Sequence, residues 1–483
     1  MSLTELLVIA LLIPVAASLL ILLTGRWENL REAVSILAGA ALFVVCVVLA
    51  DSVLDGDIPR LILAEPFSGV QLALSVEPLG MMFALIASFL WVVTIIYAIG
   101  YMRGHEEEHQ TRFYCFFAIA IFSTIGVAFS DNLLTLFVFY EILSLSTYPL
   151  VTHAGTDEAR QGGRVYLGIL IGTSMAFFLL AIIGTYWVAG TGQFVRGGVF
   201  AESVSPATLG VLLVLFVFGV GKAAIMPFHR WLPAAMVAPT PVSALLHAVA
   251  VVKAGVFSVL KIVVYIFGYE NLSALPITDW LAWLAAFSIL AASIVAMRQD
   301  NLKRRLAYST VSQLSYVTLG ALLANASGIV GSAMHIAMHA FGKITLFFCA
   351  GAILVAAHKT RVSELNGLGK QMPITMAAFF LGALSIAGLP PLGGAWSKWF
   401  LALGTVEGEH WVLLAVLLIS TLLNISYLII IPVRAFFKEA ENPLQYHEAP
   451  WPSLVAIVIT ALISVMVFVY PDPLHQTASL LVN

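Results

Sequence analysis

Apolar runs long enough to cross a bilayer follow one another along nearly the whole chain. No other feature constrains the fold as much. A membrane-spanning helix needs about 20 predominantly apolar residues. Runs of that kind are read at 3–23, 31–50, 78–100, 112–129, 131–151, 164–189, 207–236, 240–268, 279–296, 303–324, 328–357, 373–404, 409–436 and 450–470. The expectation is an all-α polytopic membrane protein with about 14 spans. Composition agrees: of 483 residues 61% are hydrophobic and only 10% charged, against roughly 45–50% and 25% in soluble chains. No intervening loop is long enough for a soluble domain, so residues 1–483 are read as one membrane domain embedded in lipid. The opening "MSLTELLVIALLIP" lacks a basic leader, and is read as a retained first span.

Charge placement tests the span count. With the loops numbered alternately, 16 of the 23 basic residues fall in one set or at the span ends beside it, among them Arg26, Arg103, Arg160, Lys303, Arg361 and Arg230, near the end of its span. The other set holds only Arg60 and Arg196. One missed span would scramble such a split. The basic side is expected to be cytoplasmic, with both termini outside. For a bacterial cell (inner) membrane, that outer face is the periplasm or the exterior. A net charge of −3 gives no reason to expect a nucleic-acid partner. Cys46, Cys115 and Cys349 are far apart, so no CxxC metal or redox site is offered.

Six charged residues remain inside spans: Glu141, Lys222, Lys253, Lys261, Lys343 and Lys398. Each such group costs at least about 2.5–3.5 kcal/mol at the bilayer centre, which marks it as a candidate functional residue. Lys261 lies about two turns from the outer end of its span and is expected to snorkel to the interface. Glu141, in "LFVFYEILSLSTYPL", is the one carboxylate at mid-span. Paired with Lys222 it is either a proton-handling switch or a static salt bridge that positions helices. In "HIAMHAFGKITLFF", His335, His339 and Lys343 recur every four residues and form one helical stripe. Two such histidines could ligate a metal or haem, pack as ordinary core residues, or relay protons. No third ligand is evident, and imidazole titrates near neutral pH, so a relay continuing into Lys343 is the favoured reading, with no metal and no cofactor. His247 and Lys253 are six residues apart in "PTPVSALLHAVAVVKAGVF", off a common face but within reach of one polar seam.

Two spans are overlong and interrupted. Pro227 breaks "GKAAIMPFHRWLP", and Pro390 and Pro391 break "AGLPPLGGAWSKWF". Broken helices at membrane depth are tolerated where protein or water satisfies the freed backbone groups, and in paired halves they point to an ion pathway. Two inverted five-helix repeats are expected, 112–268 and 279–436, with breaks in the seventh and twelfth spans.

The stretches "KAAIMPFHRWLPAAMVAPTPVSALLHAVAVVKAGVF", "NLKRRLAYSTVSQLSYVTLG" and "HIAMHAFGKITLFFCAGAI" occur in order and resemble the signatures of the antiporter-like membrane subunits. That family is shared by respiratory complex I, membrane-bound hydrogenases and Mrp-type cation/proton antiporters, and the resemblance covers residues 75 to 435 or so. It implies a 14-helix fold with broken seventh and twelfth helices, and a proton path. Glu141 and Lys222 match the family's glutamate–lysine pair, Lys253 its central lysine, His335, His339 and Lys343 its eleventh-helix relay, and Lys398 its terminal charged residue. The tail "VRAFFKEAENPLQYHEAPWPSLV" resembles the D-type members of Mrp antiporters and their close relatives, and Lys398 speaks against the complex I homologue that carries a glutamate on its twelfth helix. Pro149 and the aromatics of "GGAWSKWF" depart from the family pattern. The implied function is a proton-translocating subunit of a multi-subunit Na⁺/H⁺ antiporter, a secondary transporter subunit rather than an enzyme. It would work with other membrane subunits, on protons and Na⁺. The alternative is a proton-pumping subunit of a complex I-like or hydrogenase assembly. Only one mid-membrane carboxylate is available, so Na⁺ is expected to pass elsewhere.

Overall fold

A computed structural model describes residues 2–67, 69–440 and 446–483. The segment 441–445 of the tail quoted above lies outside the described residues. Polar caps start many of the helices. Ser2 forms a capping box with Glu5, and Asn132, Thr156, Ser205, Asn301 and Asn325 each accept a backbone N–H of the first turn. The main helices are α1 (Leu3–Leu23), α2 (Glu28–Leu54), α3 (Pro78–Gly104), α4 (Gln110–Ala128), α5 (Leu133–Val151) and α6 (Asp157–Ala189). They continue as α7 (Pro206–Gly219), α8 (Thr240–Phe267), α9 (Pro276–Arg298), α10 (Leu302–Leu322) and α11 (Ala326–Ala357). The last are α12 (Pro373–Ala387), α13 (Gly394–Glu407), α14 (Trp411–Phe437) and α15 (Trp451–Val469).

Eleven of the described helices are long and apolar enough to cross a membrane, against about 14 spans expected. The difference has a physical cause at each place. The 207–236 and 373–404 spans are broken, so that α7, α12 and α13 are short. Helix α10 has a full 21 residues but carries Ser309, Thr310, Ser312, Gln313 and Ser315. The most apolar window of α8 is wholly buried, whereas α1 and α2 leave most of their side chains on the outside of the bundle. The centre of the molecule is therefore α8, with α3 and α11 packed against it.

Two strands, β1 (Arg60–Phe67) and β2 (Val70–Ser75), pair antiparallel as a hairpin for which the sequence carried no expectation. It is tied to the bundle by Ala73 N–H donating to Thr135 Oγ1 at 3.0 Å, Asn132 Nδ2 donating to the Gln71 carbonyl at 2.8 Å and Ser75 N–H donating to the Phe129 carbonyl. The same end gathers Arg196, whose guanidinium donates to the Leu480 carbonyl. The opposite end gathers the basic loops. Arg103 pairs with Glu32, Arg112 donates to the His153 carbonyl, and Leu302 N–H donates to the Thr360 carbonyl.

Candidate functional site

The first break begins ahead of the lysine, not after it. Helix α7 ends at Gly219, and Lys222 sits in a 3₁₀ turn, Gly221–Ala223, ahead of Pro227. Trp231 Nε1 donates to the Gly221 carbonyl at 3.0 Å, satisfying one backbone group freed by the break. The Lys222 ammonium donates to the Tyr140 carbonyl at 2.8 Å and to Ser144 Oγ at 2.5 Å, and lies 3.2 Å from the Tyr140 ring centroid. Tyr140 Oη accepts the Lys222 backbone N–H at 3.0 Å.

The expected Glu141–Lys222 ion pair is therefore not made. Both Glu141 carboxylate oxygens are buried without a hydrogen-bond partner among the described residues, and no ion pair joins Glu141 to Lys222. The reason is local: Tyr140 and Ser144 present a carbonyl and a hydroxyl one turn apart on α5, and together they take up the ammonium.

Lys253 is fully buried on α8, and its Nζ donates to His339 Nδ1 of α11 at 2.6 Å. The His339 and His335 rings stack at 5.9 Å. His335 Nδ1 meets Ser397 Oγ at 2.9 Å, and its Nε2 meets Gln313 Oε1 at 3.2 Å. Ser397 precedes Lys398, whose ammonium donates to the Ala387 carbonyl at 3.1 Å across the second break and lies 4.7 Å from the Tyr316 ring centroid. Pro390 and Pro391 lie in that break, between α12 and α13. One polar file thus runs Lys253, His339, His335, Ser397 to the neighbourhood of Lys398.

Lys343 leaves this file. Its ammonium donates to Ser309 Oγ of α10 at 2.8 Å, and Ser309 Oγ also accepts from Tyr427 Oη at 3.1 Å, which in turn touches Asn424 Oδ1. A count of charges alone passes over Ser309, Gln313, Ser397 and Tyr427. The density of hydroxyl and amide groups in "AYSTVSQLSY" was the available signal. His247 packs 4.6 Å from the Phe347 ring, and neither of its ring nitrogens has a partner among the described residues. It occupies a π-helical turn, Leu245–Val249, that interrupts α8. No hydrogen bond joins it to Lys253, whose amine is taken by His339.

Lys261 corrects a further expectation. It does not snorkel. It is fully buried, paired with Glu77 Oε1 at 3.1 Å, and donates to the Ser130 carbonyl at 2.7 Å. Glu77 caps α3, accepting from Leu79 and Gly80 N–H at 2.8 Å each, and also accepts from Tyr265 Oη at 2.8 Å. Glu77 stands one residue ahead of its apolar run, which hides it from a search for charges inside spans.

Residues 130–424, which contain every member of both files except Tyr427, match the family described as NADH:quinone oxidoreductase/Mrp antiporter, transmembrane region. Residues 67–114 match the N-terminus of chain 5 of NADH-ubiquinone oxidoreductase (complex I). The chain belongs to the proton-antiporter family of membrane subunits. Among this family, a protein named NADH-quinone oxidoreductase subunit N from Desulforudis audaxviator is 33% identical over 454 residues, covering 92% of this chain and 88% of that one. An NAD(P)H-quinone oxidoreductase chain 5 from Picosynechococcus is 31% identical over 68% of this chain, but the match spans only half of its length. In three dimensions the chain resembles a subunit of the Mrp complex from a Dietzia species, with a TM-score of 0.89, 19% identity and coverage of 100% and 97% of the two chains. It also resembles a chain of the archaeal membrane-bound sulfane sulfur reductase, with a TM-score of 0.87 and 22% identity over 98% and 97%. These two likenesses show the shared fold.

Proposed function

We propose that this chain is the proton-translocating subunit of a multi-subunit monovalent cation (Na⁺)/H⁺ antiporter, set in a bacterial cell membrane with both termini outside. The observation that carries the reading is the buried file from Lys253 through His339 and His335 to Ser397, beside Lys398. Nothing in a structural scaffold requires lysine and imidazole in hydrogen-bond contact at the centre of a membrane bundle. Protons enter on the His247 side, reach Lys253, pass along the imidazoles and leave at Lys398, with Lys343 and its hydroxyl partners as a side branch. Glu141 and Lys222 act as the electrostatic control. When the carboxylate closes on Lys222, the charge is neutralised. When Lys222 turns to Tyr140 and Ser144, its positive charge is free to act on Lys253. Were the two ammonium groups to approach to about 6 Å, at an effective dielectric constant near 20 they would repel by roughly 3 kcal/mol, the scale needed to drive a proton onward. The breaks at 220–230 and 388–393 stand at corresponding places in the proposed repeats, 112–268 and 279–436.

The test is transport in vesicles containing the assembled complex. Glu141→Ala and Lys253→Ala are each expected to abolish antiport while subunit assembly is retained. Wild-type antiport in either variant overturns the reading. A second reading, a proton-pumping subunit of a complex I-like assembly, is favoured by the relative named NADH-quinone oxidoreductase subunit N, which matches over nearly the full chain. Purification with native partners separates the two: small cation-antiporter subunits support the first, and iron–sulfur subunits support the second.

A further inference from the structure

A cavity of about 330 Å³ opens at the basic end of the bundle, between the end of α9, the start of α10 and the end of α14. Three cationic side chains line it: Arg305, Arg434 and Lys438. None of the three forms an ion pair among the described residues. The one carboxylate in the wall, Asp300, is committed elsewhere, accepting from Ser363 N–H at 3.0 Å and Ser363 Oγ at 2.8 Å. Arg305 is more than nine-tenths buried, and its Nε and Nη1 are held by the Gln299 and Tyr427 carbonyls at 2.8 and 3.1 Å. Three cations against one carboxylate leave the wall of the cavity net positive, with the buried guanidinium hydrogen-bonded to carbonyls alone.

The rim is apolar and faces outward. Met297 and Ile430 line the cavity and are 44% and 40% exposed, and Phe437, at the end of the same helix as Ile430, is 84% exposed. A charged floor with a greasy rim, where helices meet the aqueous phase, suits a molecule with an anionic head and acyl chains. Arginine binds phosphate oxygens in a fixed fork geometry. Basic pockets between helices on the cytoplasmic side of membrane proteins hold lipid headgroups in this way.

We propose that the cavity binds a phosphate-bearing anion, supplied as the headgroup of an anionic phospholipid whose chains lie along Met297 and Ile430. The floor of the site is also one end of the hydroxyl branch, because the Tyr427 carbonyl that Arg305 holds belongs to the residue whose hydroxyl reaches Ser309 and Lys343.

The test uses the full-length chain purified in mild detergent, with bound lipid read by native mass spectrometry and titration. Phosphatidylglycerol, phosphatidylcholine and inorganic phosphate are the three probes. The double variant Arg434→Gln, Lys438→Gln removes the two less buried pocket charges without touching Arg305. A control, Lys359→Gln, Arg361→Gln, removes the same charge from the same end outside the pocket. Phosphatidylglycerol is expected to bind wild type and the control alike, to weaken roughly 30-fold in the pocket variant, and to outcompete phosphatidylcholine. Equal loss in both variants, or equal binding of the two lipids, overturns the site. Inorganic phosphate binding as tightly as the lipid overturns the lipid as its source. No transport is measured, so the result stands apart from whether the chain carries protons.

Discussion

At the scale of single residues, Lys261 and Lys253 show how little a buried charge says about its use. Both are fully buried on α8, eight residues apart. Lys261 is saturated by Glu77 and the Ser130 carbonyl, while Lys253 is held by one neutral-capable imidazole. The first arrangement locks α8 to the cap of α3, and the second joins α8 to α11 through a lysine–imidazole contact, the one on which the proposed proton path rests. Removing one partner of a buried pair strands the other, at a cost of about 3–5 kcal/mol, whereas replacing both with neutral side chains is often close to neutral. Glu77→Gln is therefore expected to lower the thermal unfolding midpoint in detergent sharply, and adding Lys261→Met to recover most of the loss. If the double variant is as unstable as the single one, Glu77 matters for its cap and not for its charge. The distinction between the two lysines was not legible in the sequence. A charge count sees identical residues, and only the fold brings Glu77 to one and His339 to the other.

At the scale of elements, the long apolar runs and the proline breaks were open to reading because each follows from local chemistry. Bilayer length sets the run, and a missing backbone N–H ends the helix. The π-turn at His247 was not, since "LLHAV" contains no proline or glycine to announce it. Nor was the side branch through Ser309, whose hydroxyl partners come from α14, more than a hundred residues away. The break around Lys222 depends on a close approach that only glycine permits. A Cβ on Gly255 of α8 would meet the Ala223 nitrogen and the Lys222 carbonyl carbon at 2.3 Å each. Both are backbone atoms, so one segment must shift. Gly255→Ala is expected to displace Lys222 from Tyr140 and Ser144 and to depress proton transport strongly. Gly172→Ala on α6, where a Cβ would meet nothing within 4 Å, serves as the control and is expected to transport normally. Equal activity in the two variants would show that the position of Lys222 does not matter for transport.

At the scale of the whole molecule, the alternation of basic and non-basic loops becomes a physical sorting. The hairpin, the Ser130–Asn132 turn, Arg196 and the C-terminal residues meet at one end. Arg103, Arg112, Lys303 and Arg361 gather at the other, where the proposed lipid cavity also opens. If the basic end faces the cytoplasm, as charge bias dictates for short loops, the hairpin faces outward. The three native cysteines, Cys46, Cys115 and Cys349, are buried, so an introduced surface thiol reacts against a low background. In intact cells, a membrane-impermeant thiol reagent is expected to label Asp57→Cys and Glu202→Cys directly. Glu106→Cys and His358→Cys, exposed at the opposite end, are expected to react only after permeabilisation. The reverse pattern would invert the molecule and with it the direction assigned to proton entry. A mixed pattern within one end would mean that the chain crosses the membrane a different number of times between the labelled loops, and the sorting of basic from non-basic loops would then no longer correspond to the two faces of the membrane.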